Sequence, residues 1–190
     1  MDVDCCMIIK SDDFKFEGES TQEIDKTNAF EIQTFSISGS YSESGLSSGG
    51  EDGAAPRVQV YTDKLQLSVT KLMDSSSPGL MVAFCQALTR AHDKDKSSYK
   101  PFKKLTIVAR KVSGVKSKEG RNIDYLRYDF EQVYPTSYSC SGQDGSNKDM
   151  PSENLSFGFK KFRVTYWPQS AEGRQNQPMI RDWDFFSDNK

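Results

Sequence analysis

Apolar side chains recur at every second position through much of this chain, the spacing of strands that bury one face. Val3, Cys5, Met7 and Ile9 alternate with Asp4 and Lys10 and predict an opening strand. Residues 30–38 predict a second, but its apolar positions change parity, from Phe30 and Ile32 to Phe35 and Ile37. A strand cannot exchange its faces without an irregularity, so a bulge or sharp bend is expected near Gln33 and Thr34. The same flip recurs in residues 57–70, from Val58 and Val60 to Leu65, Leu67 and Val69. It recurs again in residues 153–167, from Leu155, Phe157 and Phe159 to Phe162, Val164 and Tyr166. Residues 104–112, 123–134 and a short stretch at 180–185 complete the expected strands. Repeated mid-strand flips are how a sheet turns a corner, so the expected class is mainly β. The expected architecture is a β-barrel-like domain of two orthogonal antiparallel sheets.

One helix, at about 76–92, interrupts this pattern. Ser75, Ser76 and Ser77 offer caps, Pro78 suits the first turn, and Leu80, Met81, Phe84, Leu88 and Ala91 form one apolar stripe expected to pack on the core. Ser- and Gly-rich or charged stretches predict long loops at about 38–56, 90–101, 113–122 and 139–152, the first without structure in an isolated subunit. The 190 residues are read as a single domain.

Composition narrows the class. With 27% charged and 12% aromatic residues the chain has the makings of a packed globular domain and not of a disordered one. No apolar run approaches the roughly 18 residues of a membrane span, and the acidic opening lacks the basic start of a secretory signal, so neither membrane insertion nor an ordinary export signal is expected. Cys5 and Cys6 are adjacent and point to opposite faces of a strand, Cys85 and Cys140 stand alone, and all four are expected as buried free thiols. Charge is uneven: residues 1–53 hold 12 acids against 3 lysines, a net of −9, and residues 90–121 hold 11 Lys or Arg against 3 acids, a net of +8. Opposed patches suit copies that attract each other head to tail, although each is also what a solvated face looks like.

The chain is poor in reactive constellations. His92, the single histidine, sits at the polar end of the helix, and no metal-binding His/Cys spacing is present, so no zinc site is expected. Ser68 and Lys71 match S-x-x-K, but on a strand that spacing turns them to opposite faces. Asp182 and Asp184 flank Trp183 as a nominal acid pair, and two carboxylates on a terminal strand are usually solvated. No glycine pattern for phosphate is present. The alternative to a plain assembly protein is a single-stranded nucleic-acid-binding β-barrel, in which the basic stretch 90–121, with Tyr99 and Phe102 among its lysines, tracks a backbone. A pI of about 5.5 and the acidic N-terminal third argue against it. No catalytic residue, cofactor or metal is assigned.

Several segments, in order, carry a resemblance. Gly18-Glu-Ser-Thr21 is followed by residues 30–38 and a Gly/Ser-rich loop, then by Leu65-Gln-Leu-Ser-Val-Thr-Lys71 and Ser77-Pro-Gly-Leu-Met81. Glu153-Asn-Leu-Ser-Phe157 and Phe162-Arg-Val-Thr-Tyr166 follow, with Trp167-Pro-Gln169 after them. Over nearly its whole length the chain resembles the Hcp (hemolysin-coregulated protein) family, the tube protein of bacterial type VI secretion. The resemblance implies a homohexameric ring, rings stacked into a tube inside a contractile sheath tipped by a VgrG spike, and effector proteins carried in the lumen. It also implies a Gram-negative cell and a protein that is cytoplasmic before firing and then secreted without a signal peptide. The chain departs from the usual pattern in a longer connection at 90–101, an expanded hairpin at 113–122 and a Glu-Asp insertion before Pro56. It ends shortly after Phe186, so no fused toxin domain is expected. Under this reading Thr34, Ser36 and Ser38, the polar alternates to Phe35 and Ile37, are expected to face the lumen. Glu43, Glu51 and Asp52 are expected to meet Lys94, Lys96, Lys116 or Lys118 of a neighbouring ring.

Overall fold

The computed structural model describes residues 3–39, 41–44, 59–62, 65–91, 102–112, 122–142, 150–169 and 175–185. Its strands are β1 (Val3–Lys10), β2 (Glu23–Ile24), β3 (Thr27–Asn28), β4 (Phe30–Glu31), β5 (Thr34–Ser38), β6 (Tyr41–Ser44), β7 (Gln59–Thr62), β8 (Gln66–Leu72), β9 (Phe102–Val112), β10 (Asn122–Ser141), β11 (Ser152–Gly158), β12 (Lys161–Tyr166) and β13 (Met179–Asp184). One helix, α1 (Ser77–Ala91), lies between β8 and β9.

The nine longer-range strands form two antiparallel sheets that share β10. One sheet runs β4-β1-β9-β10-β12-β13 and the other β10-β11-β8-β5. The first half of β10 pairs with β9 and β12, and the second half, from Tyr134, pairs with β11. Gln132 marks the transfer with a positive φ of 51°, and the register shifts again between Pro135 and Ser137. Among the described residues the hydrogen-bonded path does not close into a barrel. Its two ends, β4 and β5, are nonetheless consecutive in the chain, so the backbone itself turns the corner between sheets.

That corner is the predicted one. The Ile32 N–H donates to Cys5 O in the first sheet at 3.0 Å and the next N–H, of Gln33, donates to Thr70 O in the second at 2.8 Å. The third flip is also a change of sheet, since β11 pairs with β8 and β12 with β10 and β13, with buried Phe159 at the junction. The flip within 57–70 has another origin. It separates two strands, β7 and β8, and among the described residues β7 pairs with β6 in a hairpin, so the loop expected over 38–56 is partly ordered. Likewise β10 runs to Ser141 and β11 begins at Ser152, which shortens the loop expected at 139–152.

The core lies between the sheets and under α1. The Phe130 ring meets Phe159 at 4.7 Å, tilted by 52°, and Phe84 of α1 meets Phe157 and Tyr138 at 5.5 Å. The helix buries Leu80, Ala83, Phe84 and Ala87, an i, i+3, i+4, i+7 set. Met81, expected in that stripe, is 51% exposed, because it lies about 100° around the helix from Leu80. The side chains of Leu88 and Ala91 lie outside the described residues.

The opening strand is buried on both faces. Met7 and Ile9 join the main core, while Cys6 and Ile8 pack under Ile24, Ala29 and Val108, because the segment that carries Ile24 and Ala29 folds back across the outer side. The expectation for cysteine is corrected here. All four are free, but only Cys6 is buried; Cys5 is half-buried, and Cys85 and Cys140 are exposed. Burial pushes the Cys6 thiol up to about 11, which makes it inert as a nucleophile. No helix among the described residues is long and apolar enough to cross a membrane.

Candidate functional site

The two sheets present opposite chemistries. On the second sheet, β5 alternates half-buried Phe35 and Ile37 with exposed Thr34, Ser36 and Ser38. Strand pairing extends this alternation across the sheet. Ser36 stands beside Ser68, Ser68 beside Ser156, and Ser156 beside Ser137; in the next row Thr34 is followed by Thr70, Asn154 and Ser139. These side chains bind one another. Thr70 Oγ1 donates to Asn154 Oδ1 at 2.8 Å, Ser68 and Ser156 hydroxyls meet at 3.3 Å, Ser141 and Ser152 at 3.1 Å, and Gln66 Nε2 donates to Thr136 Oγ1 at 3.0 Å. One end of the wall holds Leu72 in the row of Ser152 and Ser141. At the other the Tyr134 ring lies over Gly158, where a Cβ would come within 2.5 Å of it. No charged side chain stands in these rows. Three of the nominated residues, Thr34, Ser36 and Ser38, therefore belong to one continuous neutral, hydroxyl-rich wall four strands wide. Sequence reasoning found its first strand. The partners on β8 and β11 were missed, although their alternation was readable, because register alone brings them into rows, and those on β10 lie beyond the strand end expected at 134.

The first sheet is laced with ions. Arg110 Nε donates to Asp124 Oδ1 at 2.6 Å, Arg127 Nε to Asp129 Oδ2 at 2.9 Å, and Lys104 Nζ lies 2.9 Å from Asp129 Oδ1. The β2–β3 turn carries Asp25 and Lys26 at positive φ, 51° and 63°, and Arg127 grips the Asp25 carboxylate through both terminal nitrogens at 3.1 and 3.3 Å. Hydrogen bonds from Arg127 hold the Asp25 carboxyl below the usual range. Burial alone would raise Asp129, but hydrogen bonds from Arg127, Lys104 and Thr106 outweigh it and hold that carboxyl low as well.

Beside this network a cleft of about 260 Å³ lies between Asp129, Arg163, Lys161 and Trp183. Asp182 faces Arg163 across β12–β13 and Asp184 Oδ2 is 2.8 Å from Lys161 Nζ, so each member of the nominal acid pair stands opposite its own cation. Ser68 is on the neutral wall and Lys71 is buried on the other face, as strand geometry requires. Among the described cations of the basic stretch, Lys103 pairs with Asp12 at 2.7 Å, Lys104 with Asp129 and Arg110 with Asp124, and Lys111 lies over the Tyr125 ring. Pairing removes much of the charge that a nucleic-acid track needs. His92, Glu51, Asp52, Lys94, Lys96, Lys116 and Lys118 lie outside the described residues, as does the side chain of Glu43 on β6.

The motifs that carry the resemblance meet at the start of α1. Lys71 and Glu153 are fully buried, with Nζ 2.9 Å from Oε2. Lys71 also donates to Asp74 Oδ1 at 2.9 Å and Ser77 Oγ at 3.1 Å, which uses all three of its donors. Ser77 donates to Glu153 Oε2 at 2.7 Å, and the Tyr138 hydroxyl donates to Oε1 at 2.7 Å. Glu19 accepts from the Ser75 N–H at 2.9 Å, and Gly18 passes so close to Ala29 that a Cβ would lie 1.9 Å from its carbonyl oxygen. This arrangement fastens helix to sheet; its ions are paired and enclosed.

Comparison with known proteins agrees with this layout. The model of the family described as "Type VI secretion system effector, Hcp" matches residues 8–166. The chain belongs to the Hcp family. Its relatives include the curated "Protein hcp1" of Pseudomonas aeruginosa, 34% identical over 179 residues, 94% of this chain and 93% of that one. Among solved structures, a type six secretion system protein superposes at a TM-score of 0.65 with 25% identity, covering 96% of both chains. Hcp1 from Salmonella typhimurium shares the fold at a TM-score of 0.60 and 18% identity, over 97% of this chain and 96% of that one. The structural motifs of this Hcp thus include the buried Lys71–Glu153 fastening as well as the strand order.

Proposed function

We propose that this chain is a structural subunit of the type VI secretion inner tube, closing into homohexameric rings that stack and are expelled with effector cargo in the lumen. The observation that carries the reading is the neutral wall. A surface of Ser, Thr, Asn and Gln attracts and repels no charged cargo strongly, so varied proteins can lie against it and still leave. The other sheet supplies what a lateral contact needs: edge strand β13 exposes Met179, Ile180 and Trp183 at 64, 46 and 53%. An apolar edge of this kind is normally covered by a partner. In this reading the contractile sheath and the VgrG spike are the outer partners, and the protein is cytoplasmic until it is secreted. Stacking is assigned to Glu43, Glu51 and Asp52 against Lys94, Lys96, Lys116 or Lys118.

The test combines negative-stain electron microscopy and light scattering with a wall substitution. Rings of six-fold symmetry and six times the chain mass are expected. Ser36→Trp should leave the rings intact and reduce co-purification of cargo. A monomer in both measurements would remove the ring; intact cargo retention by Ser36→Trp would move the lumen elsewhere.

A further inference from the structure

Two irregularities lie side by side at one end of the neutral wall. The first is Gly158, at the end of β11, where a glycine often marks the close approach of another group. Here that group is the Tyr134 ring: a Cβ at Gly158 would lie 2.5 to 2.8 Å from its Cε2, Cζ and hydroxyl oxygen. The phenol end of the ring therefore rests against the β11 backbone, and half-buried Tyr134 keeps its remaining surface toward solvent. The second irregularity is the bulge on β10. Pro135 pairs with Phe157 and Ser137 with Ser156, so Thr136 is an extra residue, and a bulge of this kind re-aims a side chain. Its hydroxyl accepts from Gln66 Nε2 at 3.0 Å, and Gln66 stands in the row of Gly158 and Tyr134. In the adjacent row the Ser68 and Ser156 hydroxyls meet at 3.3 Å. The Tyr134 hydroxyl makes no hydrogen bond to any described residue.

We propose that this end of the wall binds a neutral saccharide, with one sugar ring laid on Tyr134 and its hydroxyls on Gln66, Thr136 and the Ser68–Ser156 pair. A pyranose has one apolar face of C–H bonds and a rim of hydroxyls. The weakly positive C–H bonds suit the negative face of an aromatic ring, and the Tyr134 hydroxyl adds a polar handle beside it. The rim both donates and accepts, as do the amide and hydroxyls of the wall. Gln66 is already oriented by Thr136, which leaves its carbonyl oxygen and second N–H for the ligand at little further ordering cost. Other ligand classes fit worse. The rows hold no cation, so a phosphate or carboxylate would lose hydration without return. A purely apolar ligand would cover hydroxyls and replace none of their bonds to water. As a site in a lumen this one rests on the tube reading; binding by the single chain does not.

The experiment is saturation-transfer difference NMR of the full chain, titrated with maltotriose, cellotriose and chitotriose, and with trigalacturonate as the anionic control. Light scattering on the same samples records the oligomeric state. Millimolar binding of at least one neutral trisaccharide is expected, and none of trigalacturonate. Tyr134→Ala should weaken that binding by about tenfold, while Tyr134→Phe, which keeps the ring, should stay within about threefold. Gln66→Ala should weaken it by about fivefold. Tyr166→Ala, at an exposed aromatic residue of the other sheet, should change nothing. Far-UV circular dichroism checks that each variant is folded; if Tyr134→Ala is not, unchanged binding by Gln66→Ala overturns the proposal in its place. No binding of any neutral probe, equal binding of trigalacturonate, or binding unchanged by Tyr134→Ala would overturn it. Saccharide binding without rings would sink the tube reading and leave this site; rings without saccharide binding would do the reverse.

Discussion

The buried lysine of β8 gives the sharpest test of how this fold is held together. Lys71 and Glu153 are both at 0% exposure, and Asp74, at 13%, is the second anion on the same ammonium. Lys71→Met leaves the Glu153 carboxylate enclosed with the Ser77 and Tyr138 hydroxyls and no cation, and breaking a buried pair in this way costs about 3–5 kcal/mol. Glu153→Leu is milder. Asp74 still balances Lys71, and the loss is that of two hydroxyls without their acceptor, about 1–3 kcal/mol. In the double variant neither charge remains, so its cost should fall below the sum of the singles by at least about 1 kcal/mol. Urea unfolding followed by circular dichroism at one fixed protein concentration measures all three. In a chain of this length the lysine change should lower Tm by on the order of 10 °C. Single costs under about 1 kcal/mol, or strict additivity, would refute the claim that this network locks α1 to the sheet.

Other consequences follow from the same geometry. Gln132→Gly, where β10 changes sheets at a φ of 51°, should stabilise by up to about 1 kcal/mol in thermal unfolding, since relief of a left-handed residue exceeds glycine's usual penalty in a strand. Gly158→Ala should destabilise by about 1–3 kcal/mol by displacing the Tyr134 ring, and Tyr134→Ala should recover part of that loss. Asp25 and Asp129 have folded pKa values below their unfolded ones, so their contribution is present above the ordinary carboxylate range and is lost as pH falls through the depressed values. Arg127→Met should flatten that acid limb in a pH series of unfolding; an unchanged slope would exclude the pairing as its source. If Glu51 and Asp52 stack against lysines of the next ring, tubes seen by electron microscopy should shorten as salt passes about 0.15 M and on deletion of both acids.

Much of the fold was written in one-dimensional pattern. Alternation located the strands, and the parity flips at Gln33 and at Phe159 marked two places where the chain leaves one sheet for the other, because a side chain's face on a strand is fixed by its parity alone. Serine caps and Pro78 located the helix, and the polar alternates of β5 gave one strand of the candidate wall. The sequence was silent about the second half of β10. Proline in an apolar run reads as a strand end, and only the bulge at Pro135 lets the ladder continue without its N–H. Nor does alternation reveal that β1 is covered on both faces, since that depends on where the segment carrying Ile24 and Ala29 folds back. Register, crossing and enclosure are relations between segments distant in the chain. They set Ser36 in line with Ser137, close Lys71 onto Glu153, and bring Gln66 to Thr136. Local pattern names residues fit for such contacts, and three-dimensional packing alone decides which of them meet.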